Sequence, residues 1–184
     1  DGFDITNTRV DEKSITIEKA WDEKNAKYRP DSIEVELFRS VEGGDKESVG
    51  TYEVSAENDW SLTVDDLPAF NTDGKAYKYE IEEDDVAEYN SEVNGFHITN
   101  TQKTYAIGDY TWIDRNKDGI QDDNEEPLEG VTVELFDEDG EKVGETKTDE
   151  NGRYIFDELP AGKYKVKFTL TEEQAKKYKF TKQN

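Results

Sequence analysis

Residues 114–125 read DRNKDGIQDDNE, and their spacing is that of an oxygen cage. Asp114, Asn116 and Asp118 offer side-chain oxygens at alternate positions, and Gly119 permits a sharp turn. Ile120 would lend its backbone carbonyl, Asp122 a direct or water-mediated oxygen, and Glu125 a bidentate carboxylate. The pattern D-x-[DN]-x-[DN]-G-x5-E is met without a mismatch. Hard oxygen donors in this number select calcium over softer metals. A solvated acidic loop would explain a short D-x-D-G string, but not every constrained position at once. Strand-like YAIGDYTW precedes the loop where calcium sensors carry a helix, so a structural clamp is expected and not a switch. FDEDGE (136–141) and TDENGRY (148–154) add Asp137, Asp139, Asp149 and Asn151, which suit either further ligands or hairpin turns.

A second constellation is scattered along the first half. Strand alternation puts Lys19 with Ile15, Ile17 and Trp21, Glu83 with Tyr77, Tyr79 and Ile81, and Asn100 with Phe96 and Ile98. Each is thus a polar residue on a face that should be core. One such residue could sit at a strand end and reach water. Strand ends account less readily for all three together, and burying an amine, a carboxyl and an amide is costly unless they satisfy one another. Burial favours the neutral forms of amine and acid. A neutral Lys19 can then attack the Asn100 carboxamide carbon while Glu83 polarises the carbonyl and shuttles protons. Ammonia leaves, and an isopeptide bond closes nearly the whole domain into one loop.

The elements that must position these residues are short strands of period two. SITIEKAW (14–21), SIEVELF (32–38), YKYEIEE (77–83) and GFHITN (95–100) all alternate, the last after an Asn94-Gly95 turn. The second half echoes the first: VELF recurs at 133–136, and VDDLPA (64–69) is mirrored by FDELPA (156–161). DGFDITNT at 1–8 repeats GFHITNT at 95–101. The fold class expected is all-β, in tandem Ig-like or prealbumin-like β-sandwich modules. Alignment of the halves puts Tyr110 in the place of Lys19 and Phe168 in the place of Glu83, so no isopeptide is expected in the second. Thr171 and Gln174 stand at capping-box spacing and predict one helical turn.

The first half resembles the Cna B-type repeats of Gram-positive surface adhesins and pili, through IEKAW, YRPDSIEVELF, NDWSLTVDDLPAF, GKAYKYEIEE and GFHITNT in order. That resemblance implies Lys19 and Asn100 as the bonded pair and Glu83 as the catalytic acid, with Asn7 the bonded residue of a preceding repeat. Glu82, the neighbour of Glu83, has outward parity. The second half resembles the calcium-binding B domain of the serine-aspartate-repeat adhesins, through IGDYTWIDRNKDGIQDDNEEPLEGVTVELFDEDG and TDENGRYIFDELPAGKYKV. It implies a rod-like spacer between a ligand-binding region and the cell wall. The domains expected are 1–9, the last strand of a preceding repeat; 10–102, Cna B-type; and 103–184, B domain with the calcium loop, lacking its final strand.

Composition narrows the classes. A formal charge of −23 argues against nucleic acid or an anionic membrane as partner, and permits divalent cations. The hydrophobic fraction of 32% leans towards disorder, but Tyr 10, Phe 8 and Trp 3 in alternating patterns supply a core. With no cysteine, disulfides and thiolate zinc sites are excluded. No apolar run reaches transmembrane length. The sole histidine, His97, alternates outward with no serine or cysteine placed to use it, which speaks against a hydrolase. The expectation is therefore a monomeric stalk segment on the extracellular, wall-attached surface of a Gram-positive bacterium. Its partners would be neighbouring repeats of the same chain, and the host ligand would bind elsewhere in the parent protein. The alternative is a module that itself grips a host ligand, through aromatics such as Phe38 and Phe136.

Overall fold

A computed structural model describes residues 11–181; the strand expected over 1–9, with Asn7, lies outside them. The chain divides into two units between Lys103 and Thr104.

Among the described residues the first unit holds seven strands: β1 (Glu12–Asp22), β2 (Ser32–Ser40), β3 (Glu47–Ser55), β4 (Ser61–Pro68), β5 (Lys78–Glu83), β6 (Tyr89–Asn94) and β7 (His97–Gln102). They form two sheets, in the orders β4-β1-β7-β6 and β3-β2-β5. All pairings are antiparallel except β1 with β7. Period-two burial in β1 and β2 sends Ile15, Ile17, Ile33, Val35 and Leu37 inward, where they meet Val54, Val64, Tyr79, Ile81 and Ile98 in one core. The β6–β7 hairpin pairs Asn94 with His97, so the turn itself is Gly95-Phe96, and Gly95 takes the positive φ of 65° that its missing Cβ allows.

The second unit repeats this plan with β8 (Tyr105–Tyr110), β9 (Thr132–Phe136), β10 (Lys142–Lys147), β11 (Arg153–Leu159) and β12 (Lys165–Thr169). Its sheets run β10-β9-β12 and β11-β8, and Val133, Leu135, Tyr154 and Phe156 form the core between them. Among the described residues no strand follows β12. A single helical turn, α1 (Glu172–Ala175), comes next, and its capping box is made as expected: Gln174 N donates to Thr171 Oγ1 at 3.2 Å and Thr171 N to Gln174 Oε1 at 2.9 Å.

Candidate functional site

Lys19, Glu83 and Asn100 meet inside the first unit. β1 and β7 run side by side with Lys19 opposite Ile98 and Trp21 opposite Asn100, so the lysine and asparagine share the inner face of one sheet, two residues apart in register. Glu83 ends β5 in the facing sheet, opposite Val35 of β2. Its Oε1 lies 2.7 Å from Lys19 Nζ and accepts from Asn100 Nδ2 at 3.1 Å. The lysine and glutamate side chains are 0% and 1% exposed, and Asn100 is fully buried. The carboxylate is thus the hinge between nucleophile and target, while Glu83 Oε2 and Asn100 Oδ1 have no hydrogen-bond partner. Burial holds the Lys19 amine below the usual lysine range against the opposing pull of Glu83, which favours the nucleophilic form. Glu82 faces outward, as its parity requires, and contacts Lys46 at the surface.

Around this centre Trp21, on the face that alternation gives it, is joined by residues the sequence pattern does not single out. The Trp21 ring lies under Lys19 Nζ, 4.5 Å from nitrogen to centroid. Trp60 and Tyr89 pack edge-on against it at 5.0 and 4.9 Å. Beyond them the β1–β2 connection closes the end of the sandwich. Tyr89 Oη donates to Glu23 Oε2 at 2.5 Å, and Arg29 Nε to Glu23 Oε1 at 2.8 Å. Gln102, buried two residues past Asn100, accepts from Lys24 N at 3.2 Å and donates to Asn25 O at 2.9 Å. Its inward parity was the available signal; nothing local announces the Glu23–Arg29–Tyr89 set, whose members come together only in the fold.

The loop at 114–125 joins β8 to β9 and is pinned at its base, where Ile113 N donates to Glu126 O at 2.8 Å and Leu128 N to Thr111 O at 2.9 Å. Its side chains converge. Asp114 accepts from Lys117 N at 2.6 Å and Gly119 N at 3.1 Å, and Asp118 Oδ1 from Ile120 N at 2.7 Å. Glu125 reaches back to Arg115 N at 2.8 Å and Asp122 N at 3.2 Å. Asn116 Nδ2 donates to both Asp118 and Asp122 at 2.8 Å, so two carboxylates already share one electropositive partner. The oxygens offered along 114–125 are of the type a hard cation takes, while Asn116 turns its Nδ2 to the two carboxylates and its Oδ1 to Asp118 N at 3.1 Å. Among the described residues no group of three or more carboxylates or imidazoles stands placed to hold a metal ion, and Asp114 is engaged with backbone N–H groups. Asp137 and Asp149 each accept two backbone N–H bonds within their own turns, the hairpin role open to them from sequence.

Two sandwich units, one with a buried amine–acid–amide centre and one with an acidic loop, define a protein of tandem B-type repeats. Residues 15–101 match the Cna protein B-type domain and residues 105–184 the SdrD B-like domain. The chain thus belongs with these repeats: a Cna B-type domain followed by an SdrD B-like domain, homologous to the staphylococcal serine-aspartate repeat proteins. Serine-aspartate repeat-containing protein D of Staphylococcus aureus (strain Newman) is 35% identical over 169 residues, 89% of this chain and 11% of that protein. Protein E of strain MSSA476 is 55% identical over 75 residues, 41% of this chain and 6% of that protein. The chain therefore spans about a tenth or less of these relatives. Among solved structures, two B repeat units of the S. aureus collagen-binding protein align at 28% identity and a TM-score of 0.46, over 88% of this chain and 44% of that one. The Bacillus anthracis TIE protein shares the fold at a TM-score of 0.55 and 20% identity, over 87% of this chain and 29% of that one.

Proposed function

We propose that this chain is a stalk segment of a wall-anchored bacterial surface adhesin, stiffened by a self-formed Lys19–Asn100 isopeptide bond in the first unit and by calcium in the second. The observation that carries the reading is the single oxygen, Glu83 Oε1, in contact with both Lys19 Nζ and Asn100 Nδ2 inside a dry core. Lys19 passes a proton to Glu83, and the neutral amine attacks Asn100 Cγ. Protonated Glu83 gives its proton to Nδ2, the atom it contacts, and the carboxylate left behind takes the second proton that Nζ sheds. The Nζ–Cγ bond forms, the Cγ–Nδ2 bond breaks, and ammonia departs. This is one self-directed turnover with no external substrate, so the segment is not an enzyme in the ordinary sense.

In the second unit Asp114, Asn116, Asp118, Asp122 and Glu125, with the Ile120 carbonyl, would hold the ion. Calcium would supply charge neutralisation to a loop dense in carboxylates. The two aromatics that suggested a host-gripping surface each face a lysine: Lys46 Nζ sits 3.8 Å over the Phe38 ring, and Lys167 Nζ lies 6.0 Å from that of Phe136.

Pulling the chain from its ends tests the stalk reading. The length released by the first unit should exclude everything between Lys19 and Asn100. Release of that whole stretch would overturn the proposal.

A further inference from the structure

Trp21 holds a place in the first unit that the proposed chemistry has not yet used. It stands directly opposite Asn100 in the β1–β7 ladder and two residues after Lys19 on the same strand face. Its ring face carries the lysine nitrogen at 4.5 Å from the centroid. Edge contacts from Trp60 and Tyr89 fix the plane of that ring, and the Arg29 guanidinium lies 5.5 Å from its centroid. Arg29 is in turn held by Glu23, which also accepts the Tyr89 hydroxyl. The amine thus lies between an indole face and a carboxylate oxygen that also holds the Asn100 carboxamide.

We propose that Trp21 is a positioning residue for cross-linking, its indole face seating the Lys19 amine against Asn100 and tuning how readily that amine carries a proton. This rests on the isopeptide reading and deepens it. An aromatic face attracts an ammonium through its quadrupole, and more so where water is excluded. The ring therefore steadies the lysine in the direction of Asn100 and partly offsets the cost of burying its charge. The charged or titratable groups around the amine are Glu83 from β5, Glu23 and Arg29 from the β1–β2 connection, and Tyr89 from β6. Of these, Glu83 contacts the amine, and Arg29 lies against the same indole.

A tryptophan occupies the same place in the second unit: Trp112 follows Tyr110 by two residues, with ring centroids 5.6 Å apart, although no lysine is present. Packing alone is therefore a sufficient reason for the residue to exist, and the test has to separate packing from steering of the amine.

The experiment follows the loss of one ammonia by intact mass as the full chain refolds from denaturant, across a range of pH. It compares the wild type, Trp21→Phe, Trp21→Leu, and a chain with a ring-fluorinated tryptophan placed at position 21 alone. Fluorination drains the π face while keeping the shape, so it remains informative even if Trp21→Leu does not fold. Loss of the π face makes the amine release its proton more easily. The alkaline limb of the rate profile should then move to lower pH by about half to one and a half units in the fluorinated chain. Trp21→Phe should keep most of the rate, and Trp21→Leu should slow it about tenfold or more. An unmoved pH profile in the fluorinated chain, or a wild-type rate in folded Trp21→Leu, would overturn the inference and leave the isopeptide reading intact. A wild type that never loses ammonia would overturn both.

Discussion

Tyr79 and Tyr164 occupy the same place in the two units and make the same hydrogen bond, to the carbonyl of Pro68 at 2.7 Å and of Pro160 at 2.9 Å. Three further matches follow. Asp66 and Glu158 both adopt positive φ, at 58° and 52°, where each strand is bulged before its Leu-Pro-Ala. Trp21 and Trp112 follow their inner-face positions by two residues, and Phe38 and Phe136 both lie beneath a lysine. The scaffold is thus one design used twice. The interiors differ at defined points of register. Val35 pairs with Glu83 in the first unit, and its counterpart Val133 pairs with Phe168 in the second. Phe168 packs edge-on against Tyr154 at 5.4 Å, so an aromatic contact stands where the first unit has a buried carboxylate. One unit holds a buried amine, acid and amide that contact one another, while the other fills that space with rings and carries polar groups outside in a loop.

The comparison can be broken at its strongest point first. Lys19→Ala should destabilise the first unit by roughly 4 kcal/mol, from the loss of a cross-link spanning most of the domain. Chemical denaturation reads this directly, and an unchanged midpoint for that unit would contradict it. The converse change, Tyr110→Lys with Phe168→Glu, should cost the second unit about 3 kcal/mol, because it buries an amine and an acid with nothing to join. Intact mass should show no loss of ammonia; a cross-linked product would mean that the units differ less than their cores suggest.

Calcium should act on the second unit alone. At a free ion concentration about a hundredfold above its dissociation constant, bound calcium contributes about 2.7 kcal/mol. Chelation or Glu125→Gln should therefore lower the melting of the second unit and leave the first unmoved. Equal melting curves with and without chelator would remove the clamp.

A smaller effect lies at Glu23. Burial pushes its carboxyl up, but Arg29 and Tyr89 outweigh that and hold it below the usual carboxylate range. A carboxyl depressed on folding adds stability that is complete above its unfolded value and disappears as pH falls through its lower folded value. Glu23→Gln should cost about 1 kcal/mol at neutral pH and flatten the acid-side decline of the first unit. An identical acid profile in the variant would show that the set does not hold the loop closed.

Most of this division was legible in the chain because both modules alternate strictly. Parity placed Lys19, Glu83 and Asn100 inside and turned Glu82 outward, and alignment of the two halves marked Tyr110 and Phe168 as the residues in place of Lys19 and Glu83. The acidic loop at 114–125 stands out in the sequence for a different reason, since all its candidate side-chain donors lie within one short segment. The parallel β1–β7 pairing was not legible, because pairing direction is not carried by alternation. With it went the neighbourhood of Trp21 and Asn100, and the closure of the site by Glu23, Arg29, Tyr89 and Gln102.

The central claim is that Lys19 and Asn100 become one covalent unit while the second unit does not react. The intact mass of the denatured full chain tests this most directly. It should be one ammonia lighter than the sequence requires, with the full mass restored in Lys19→Ala and in Asn100→Ala. A wild-type chain at its full sequence mass would contradict the account.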